Sequence, residues 1–128
     1  LREANSMSIY QNIDKTLTET IEEYQRKVRD AYFASENSAL TPDEMNNLVI
    51  ANARALGARR AQETLREVMS FYGLGEESSK QAQMDALPGA IRAIEGNIDG
   101  FLRQKDTHLE TLRLLADVSN VLKLEQYA

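Results

Sequence analysis

Apolar residues in the first third of the chain recur every three or four positions, which is the spacing of one face of an α-helix. The stripe consists of Ile9, Ile13, Leu17, Ile21, Tyr24, Val28 and Ala31. Glu22 stands four residues before Arg26, and Glu23 four before Lys27, the favourable order of charges on a helix. The pattern predicts a first helix from about residue 5 to residue 36, followed by a turn at Asn37-Ser38.

The boundaries of a second helix are the clearest local signals in the sequence. Thr41 can cap the helix, Pro42 suits its first position, and Glu44 can complete a capping box. At the other end, Gly73 suits the left-handed residue that follows a helix, and Leu74 can fold back on the last turn. A helix of about 31 residues is therefore predicted between these signals.

The apolar face of this second helix is dominated by alanine in its middle. The stripe consists of Leu48, Ala51, Ala55, Ala58, Leu65 and Tyr72. Because alanine side chains are small, we expect a neighbouring helix to approach closely here.

The segment LPGAIRAIEGNIDGF, residues 87 to 101, decides how many helices follow. Apolar residues keep a helical step across Gly96 and Gly100 and on to Leu122, with only Lys105 and Ser119 interrupting. The register favours one continuous helix from about 86 to 126, with Asp85 as N-cap and Pro88 in its first turn. Gly96 and Gly100 share a face, which we expect to meet the alanine stripe of the second helix.

The predicted fold is therefore an all-α antiparallel bundle of three long helices, with a short helical turn near 77–84. The alternative interprets EGNIDG as a turn at 96–100, with helices from about 77 to 95 and from about 99 to 126. That arrangement is an up-down-up-down four-helix bundle whose two termini lie at one end, whereas three helices place them at opposite ends.

Length and composition fit one folded domain. The chain has 128 residues, of which 42% are hydrophobic and 27% charged, with two prolines and six glycines. It begins with Leu1 rather than Met, so we interpret residues 1–128 as a single helical-bundle domain cut from a longer protein. The absence of cysteine excludes disulfides and thiolate metal sites, and leaves the cellular compartment undetermined.

Charge argues against two classes of partner. Fifteen Lys and Arg against twenty Asp and Glu give a net charge of −5, and no segment is strongly basic, so we expect no nucleic-acid binding. Apolar runs are far shorter than the roughly 20 residues that span a bilayer, so no membrane span is expected within this chain.

Candidate chemistry is sparse. His108 is the single histidine, and no Glu-x-x-His pair, Gly-x-Ser-x-Gly elbow or glycine-rich phosphate loop occurs. The densest acidic set, Glu19, Glu22 and Glu23, is typical of a solvated helix face. We therefore predict no catalytic residue, no metal site, no cofactor and no enzymatic activity.

The apolar stripes are the remaining functional signal. A continuous last helix would exceed the others by about two turns, leaving its apolar end uncovered. The predicted function is a non-enzymatic interaction or structural module that binds a protein partner, or a second copy, through Val118, Val121, Leu122 and Leu124.

The alternative function is a ligand-sensing extracytoplasmic bundle of a transmembrane receptor. Such a domain requires both termini at one end, and Arg54, Arg59 and Arg60 are its candidate site for a small anionic ligand. Against a binding role, Glu63 is spaced to pair with Arg59, so a surface of paired charges is the simpler interpretation. A helical enzyme with an acidic catalytic residue is the third alternative, and the sequence offers no candidate residue for it.

Overall fold

Four α-helices make up the fold in the computed structural model, which describes residues 8–36, 38–75 and 79–127. They are α1 (Ile9–Ser35), α2 (Pro42–Phe71), α3 (Lys80–Leu102) and α4 (Leu109–Gln126). No described residue is in a β-strand, so the all-α prediction is confirmed. Residues 5–7, the predicted turn residue Asn37 and residues 77–78 of the predicted helical turn lie outside the described residues.

The starts of α1 and α2 follow from local capping chemistry. The Thr41 hydroxyl oxygen accepts a hydrogen bond from the Glu44 backbone N–H at 3.1 Å, and the Glu44 carboxylate accepts one from the Thr41 N–H at 2.9 Å. Ser8 and Gln11 form the same reciprocal pair at the start of α1. Each box satisfies backbone donors that would otherwise lack a partner, and the box predicted at Thr41 is confirmed.

The end of α2 is also as predicted. Gly73 adopts a φ of +71°, and the Leu74 N–H donates to the Met69 carbonyl oxygen at 2.8 Å. This closes the last turn as a Schellman motif and folds the buried side chain of Leu74 back onto the bundle.

The start of α3 differs from the prediction. Asp85 is not the N-cap; the helix begins at Lys80, with the Ser79 hydroxyl oxygen accepting from the Ala82 N–H at 3.1 Å. Residues 80–84 are thus the first turn of α3 rather than a separate helical turn, and Pro88 lies inside the helix. Because proline has no N–H, α3 forgoes the hydrogen bond that residue 88 would donate to residue 84.

The continuous helix predicted from 86 to 126 is interrupted after Leu102. EGNIDG is helical, as the register indicated, and the break instead lies at residues 103–108, later than the four-helix alternative placed it. This connection, RQKDTH, contains no apolar residue. The Thr107 hydroxyl donates to the Phe101 carbonyl oxygen at 2.9 Å, which satisfies one of the last carbonyl groups of α3.

Helix α2 is the central element and packs against the other three helices. Helix α1 runs antiparallel to it, because Asp14 near the start of α1 pairs with Arg66 near the end of α2 at 2.9 Å. Helix α4 folds back along α3, where Lys123 pairs with Glu95 at 3.0 Å. The core between the helices contains the fully buried side chains of Leu65, Met69, Leu87, Ile94, Thr111, Leu115 and Leu122.

The contact predicted between the Gly96 and Gly100 face and the alanine stripe of α2 does not form. Gly96 and Gly100 are exposed, and a Cβ added at either would meet nothing within 4 Å. The start of α4 approaches another side of α2 closely: a Cβ at Gly57, about 100° or more around the helix from the alanine stripe, would lie 2.9 Å from Glu110 Cβ. The expectation that Gly96 and Gly100 meet the stripe was therefore wrong.

The helix contacts are compatible with the four-helix bundle alternative. In an up-down-up-down bundle, the start of α1 and the end of α4 lie at the same end.

Candidate functional site

The α1–α2 hairpin extends past the place where the α3–α4 hairpin ends. At that boundary, hydrogen bonds join the first turn of α4 to α2 and to α1. The Thr111 hydroxyl donates to the Gly57 carbonyl oxygen of α2 at 2.8 Å, and the Tyr24 hydroxyl of α1 donates to Glu110 Oε2 at 2.7 Å. From Pro42 to Gly57, α2 rises roughly 22 Å at about 1.5 Å per residue. We call this extension, residues 25–36 and 38–56, the overhang.

The overhang has almost no core of its own. Among its described residues, Ala51 and Ala55 are buried, and the others are half-buried or exposed. Yet several of its large apolar side chains face solvent, with Val49 59% and Met45 49% exposed. We call the exposed apolar residues of α2 in this region, Met45, Val49, Ile50 and Leu56, the overhang strip. At about 100° per residue, Met45, Val49 and Leu56 share one side of α2, away from the face of Leu48, Ala51 and Ala55, and Ile50 lies about 100° or more further around the helix.

Two adjoining cavities form a groove where the overhang meets α4. The larger, of about 800 Å³, lies between α1, α2 and the start of α4. The smaller, of about 390 Å³, lies between α1 and α2 and continues towards the tip of the overhang. Tyr24, Ile50 and Arg54 line both cavities, so we treat them as one junction groove. Exposed Leu109 of α4 adds an apolar wall to the larger cavity.

Glu110 is the buried charge at the base of this groove. Arg113 binds its carboxylate with two hydrogen bonds, from Nε at 2.8 Å and from Nη2 at 2.6 Å. Those bonds lower the pKa of Glu110, against the opposing effect of burial, and the Tyr24 hydrogen bond lowers it further. The carboxylate therefore stays ionised and joins α1 to α4.

The partners of Glu110 respond in the complementary direction. Burial raises the pKa of Tyr24, and its hydrogen bond to the Glu110 carboxylate raises it further. The Glu110 hydrogen bond raises the pKa of Arg113, which also donates to Asp117 at 3.0 Å. Both groups are held in their proton-donating forms, so the network acts as a fixed link between helices.

The four residues predicted to bind a partner divide into two pairs. Val118 and Leu122 are buried and belong to the core of the bundle. Val121 and Leu124 are 43% and 72% exposed. Because Leu122 has no exposed surface, replacing it with Asp would disrupt the core rather than test a contact. Their binding role stays a prediction, and Val121 and Leu124 are the accessible candidates.

The structure does not bring the three candidate anion-binding arginines together. Arg54 lines the junction groove. Arg59 donates to the side-chain amide oxygen of Gln25 on α1. Arg60 lies 3.4 Å from Glu63, and its guanidinium carbon is 5.3 Å from the centre of the Phe101 ring. At about 100° per residue the three point in different directions: Arg54 faces the junction groove, whereas Arg60 lines a separate cavity of about 260 Å³ beside Phe101.

The described residues contain no candidate metal-binding site. No group of three or more His, Asp or Glu side chains is arranged to hold a metal ion. His108 is the N-cap residue of α4, makes no side-chain capping bond, and lines the junction groove. Glu19, Glu22 and Glu23 are exposed on α1, in keeping with a solvated face.

Sequence patterns carried only a partial signal for this site. Met45, Val49 and Leu56, spaced by four and seven, form a second apolar stripe on α2 outside the alanine stripe. A helix that is apolar on two faces suggests a second contact. The bond between Tyr24 and Glu110 joins residues 86 positions apart, and no local pattern predicts it.

Comparisons with protein-family models, with curated proteins and with solved structures found no match. In the described parts of the chain, no helix is both long and apolar enough to cross a membrane. A functional assignment therefore has to come from the geometry of the residues themselves.

Proposed function

We propose that this chain is a non-enzymatic helical interaction module, and that its contact surface is the overhang. One observation carries the proposal: the overhang strip is apolar and exposed, while the hairpin beneath it buries only Ala51 and Ala55 among its described residues. Contiguous exposed apolar side chains of this kind are typical of protein–protein contact sites.

Energetics favour a covered overhang. Helices in proteins are stabilised mainly by packing of their apolar faces. Two helices that pack through small alanine side chains bury little apolar surface. Fully burying an aliphatic side chain contributes about 1.5–3 kcal/mol, so covering the half-exposed residues of the strip would contribute about 1 kcal/mol each, or about 4 kcal/mol together. A partner helix packed along the side of α2 that carries Met45, Val49 and Leu56 would supply most of this burial.

This proposal moves the contact away from the end of α4. The sequence analysis favoured that end because a continuous last helix would have been longer than its neighbours, which would have left its apolar end uncovered. With the break at residues 103–108, the α1–α2 hairpin is the longer element at the opposite end. Val121 and Leu124 are exposed near the end of α4, whereas Ile50 of the overhang strip lines the junction groove.

A photo-crosslinking amino acid placed at Val49 tests the proposal in cells that produce the protein. We expect irradiation to give defined covalent adducts with a protein chain, identified by mass spectrometry. The matched control carries the same group at Asp99, which is exposed on α3. Equal, background-level adducts from both positions would overturn the proposal, and adducts from Leu124 alone would return the contact to the end of α4.

A ligand-sensing receptor domain is the second candidate. It is favoured by the bundle arrangement, in which the start of α1 and the end of α4 lie at one end, as a domain attached to a membrane at both ends requires. Arg54 in the junction groove is the candidate contact for a small anion. Calorimetric titration of the protein with small carboxylates tests this function. A sensor domain should bind such a ligand, and Arg54→Ala should abolish the binding. Our leading proposal predicts no binding.

A further inference from the structure

One cation in the junction groove has no partner of its own. Arg54 lies where the two cavities meet, since it lines both of them. The residue is exposed, and it makes no hydrogen bond or ion pair with the described residues. A guanidinium carries five N–H donors and pairs well with a carboxylate, so Arg54 is available to bind an anion.

The carboxylate of Glu110 does not occupy Arg54. The two groups are close enough for Arg54 to favour the ionised carboxylate, but no hydrogen bond joins them. Glu110 instead accepts two hydrogen bonds from Arg113 and one from Tyr24. Its charge is therefore balanced without Arg54.

The remaining charged side chains that line the groove also have partners. Lys27 lies 4.0 Å from Glu23 on the same helix, and the Glu44 carboxylate accepts the Thr41 N–H in the cap of α2. Glu44 is also about 15 Å from Arg54 along the axis of α2. Among the described charged residues of the groove, Arg54 is thus the one whose donors are open to a binding partner.

Apolar side chains line both of the cavities that meet at Arg54. Leu109 is 82% exposed and lines the larger cavity, half-buried Leu40 and Leu48 line the smaller one, and Ile50 lines both. The occupant that complements this surface has an anionic group with aliphatic groups beside it. A small carboxylate supplies only the anion, and an exposed ion pair alone contributes little.

The shape of the groove favours a segment of polypeptide as the occupant. The smaller cavity extends about 15 Å along α2, from Glu44 to Arg54, and the larger cavity adds about 800 Å³. Small-molecule pockets bury most of their ligand, whereas the Leu109 wall is mostly exposed. Nucleic acid is bound through clusters of Lys and Arg, and this groove has a single unpaired cation among its described residues.

Resting on the interaction function proposed above, we propose that the junction groove binds an acidic segment of a partner protein. One Asp or Glu of the segment pairs with Arg54, and its aliphatic neighbours pack on Ile50 and Leu109. Val49 lies about 100° around α2 from Ile50, so a segment in the groove leaves the Val49 side of the helix exposed. The two contacts can therefore be tested separately.

Peptide selection tests the charge of the occupant. A phage-displayed library of random peptides of about ten residues, which span about 15 Å as a helix, is selected on the wild-type protein and on Arg54→Glu. We expect the wild type to select Asp or Glu together with Leu, Ile or Met, and Arg54→Glu to select Lys or Arg instead of the acid. Peptides without an acidic preference, or no selected peptide at all, would overturn the proposal.

Val49→Asp is the matched control, because it places a charge on the other contact side of α2. Peptides that bind the groove should keep their affinity for Val49→Asp and lose it for Arg54→Glu. The opposite response would mean that the peptides bind the overhang strip, which would overturn the groove contact and leave the interaction function standing. Failure of both peptide selection and crosslinking at Val49 would end both proposals.

A double-mutant cycle on a selected peptide measures the ion pair. Replacing the acidic residue of the peptide with its amide should weaken binding to the wild type about fivefold and binding to Arg54→Gln hardly at all. Arg92→Gln, the same charge change at an exposed residue of α3, should behave like the wild type. An equal loss on Arg54→Gln would mean that the acid pairs elsewhere and would overturn the assignment.

Leu109→Ala tests the apolar part of the contact. The variant should bind the peptide about fivefold more weakly, because the segment covers a leucine that is 82% exposed in the free protein. Leu124→Ala, which truncates another exposed leucine of α4, should leave the affinity unchanged. Circular dichroism shows whether each variant is folded, and equal affinities of the two variants would overturn the role of Leu109.

Discussion

Gly57 and Gly96 offer a matched pair of substitutions with opposite expected signs. Both are interior helical glycines, and replacing either with alanine contributes about 1 kcal/mol of helix propensity. At Gly96, a Cβ meets nothing within 4 Å, so Gly96→Ala should stabilise the fold by about 1 kcal/mol.

At Gly57, the same methyl group meets the first turn of α4. The added Cβ would lie 2.9 Å from Glu110 Cβ and 3.1 Å from the Thr111 backbone nitrogen, neither of which is the end of a flexible side chain. Overpacking costs about 1–3 kcal/mol, and separating the helices also weakens the Thr111 bond to the Gly57 carbonyl, worth about 1 kcal/mol. After the propensity gain, Gly57→Ala should be about 1–3 kcal/mol less stable than the wild type.

Urea unfolding followed by helical circular dichroism measures both variants, at a concentration low enough to keep the chain monomeric. With an m value of about 1.5 kcal/mol/M, a gap of about 2–4 kcal/mol between them separates the midpoints by about 1.3–2.7 M. If Gly57→Ala were as stable as Gly96→Ala, α4 would not begin against α2 at this point, and the boundary of the overhang would be wrong.

Three further stability predictions follow from single contacts. Ser119 Oγ is buried with no hydrogen-bond partner among the described residues, so Ser119→Ala should raise the free energy of unfolding by about 1 kcal/mol. A lower free energy of unfolding in this variant would mean that the hydroxyl does form a hydrogen bond. Gly73→Ala, at a φ of +71°, should lower it by about 1 kcal/mol in thermal unfolding; no change would refute the Schellman geometry. The lowered pKa of Glu110 means that its charge stabilises the fold above pH 4.5, its ordinary pKa, and that this contribution is lost as the pH falls through the folded-state value. Glu110→Gln should therefore cost about 1–2 kcal/mol near pH 7 and progressively less in acid, and a cost independent of pH would refute the ionised link.

Features of the fold that depend on residues close together in the sequence were predictable from the sequence. The capping box at Thr41, the left-handed Gly73 and the apolar stripe of α1 each depend on side chains a few positions apart. The break at residues 103–108 was missed because the apolar registers of α3 and α4 are in phase across it. Lys105, which interrupts that register, was the available sign.

The candidate site was harder to predict because it depends on relative helix lengths. The overhang exists because α3 ends at Leu102 while the α1–α2 hairpin continues, and that offset is set by packing at Gly57. The exposed end of α4 was proposed from a helix taken to be continuous; with the break, Val118 and Leu122 became core residues. The accessible residues of the overhang strip could be distinguished from core residues only when the position of α4 was known.

Thiol accessibility at Val49 tests the central claim, that the overhang is covered by protein in the working state, most directly. The chain has no cysteine, so a Val49→Cys variant carries a single thiol, with Glu19→Cys on the exposed face of α1 as control. The claim predicts that both thiols react rapidly with a maleimide in the dilute purified chain. In the cells that produce the protein, the reaction at residue 49 should be slowed about tenfold or more, as expected for a position covered about 90% of the time, relative to residue 19. Equal rates at the two positions in cells would contradict the claim, because the overhang would then be open to solvent where the protein works.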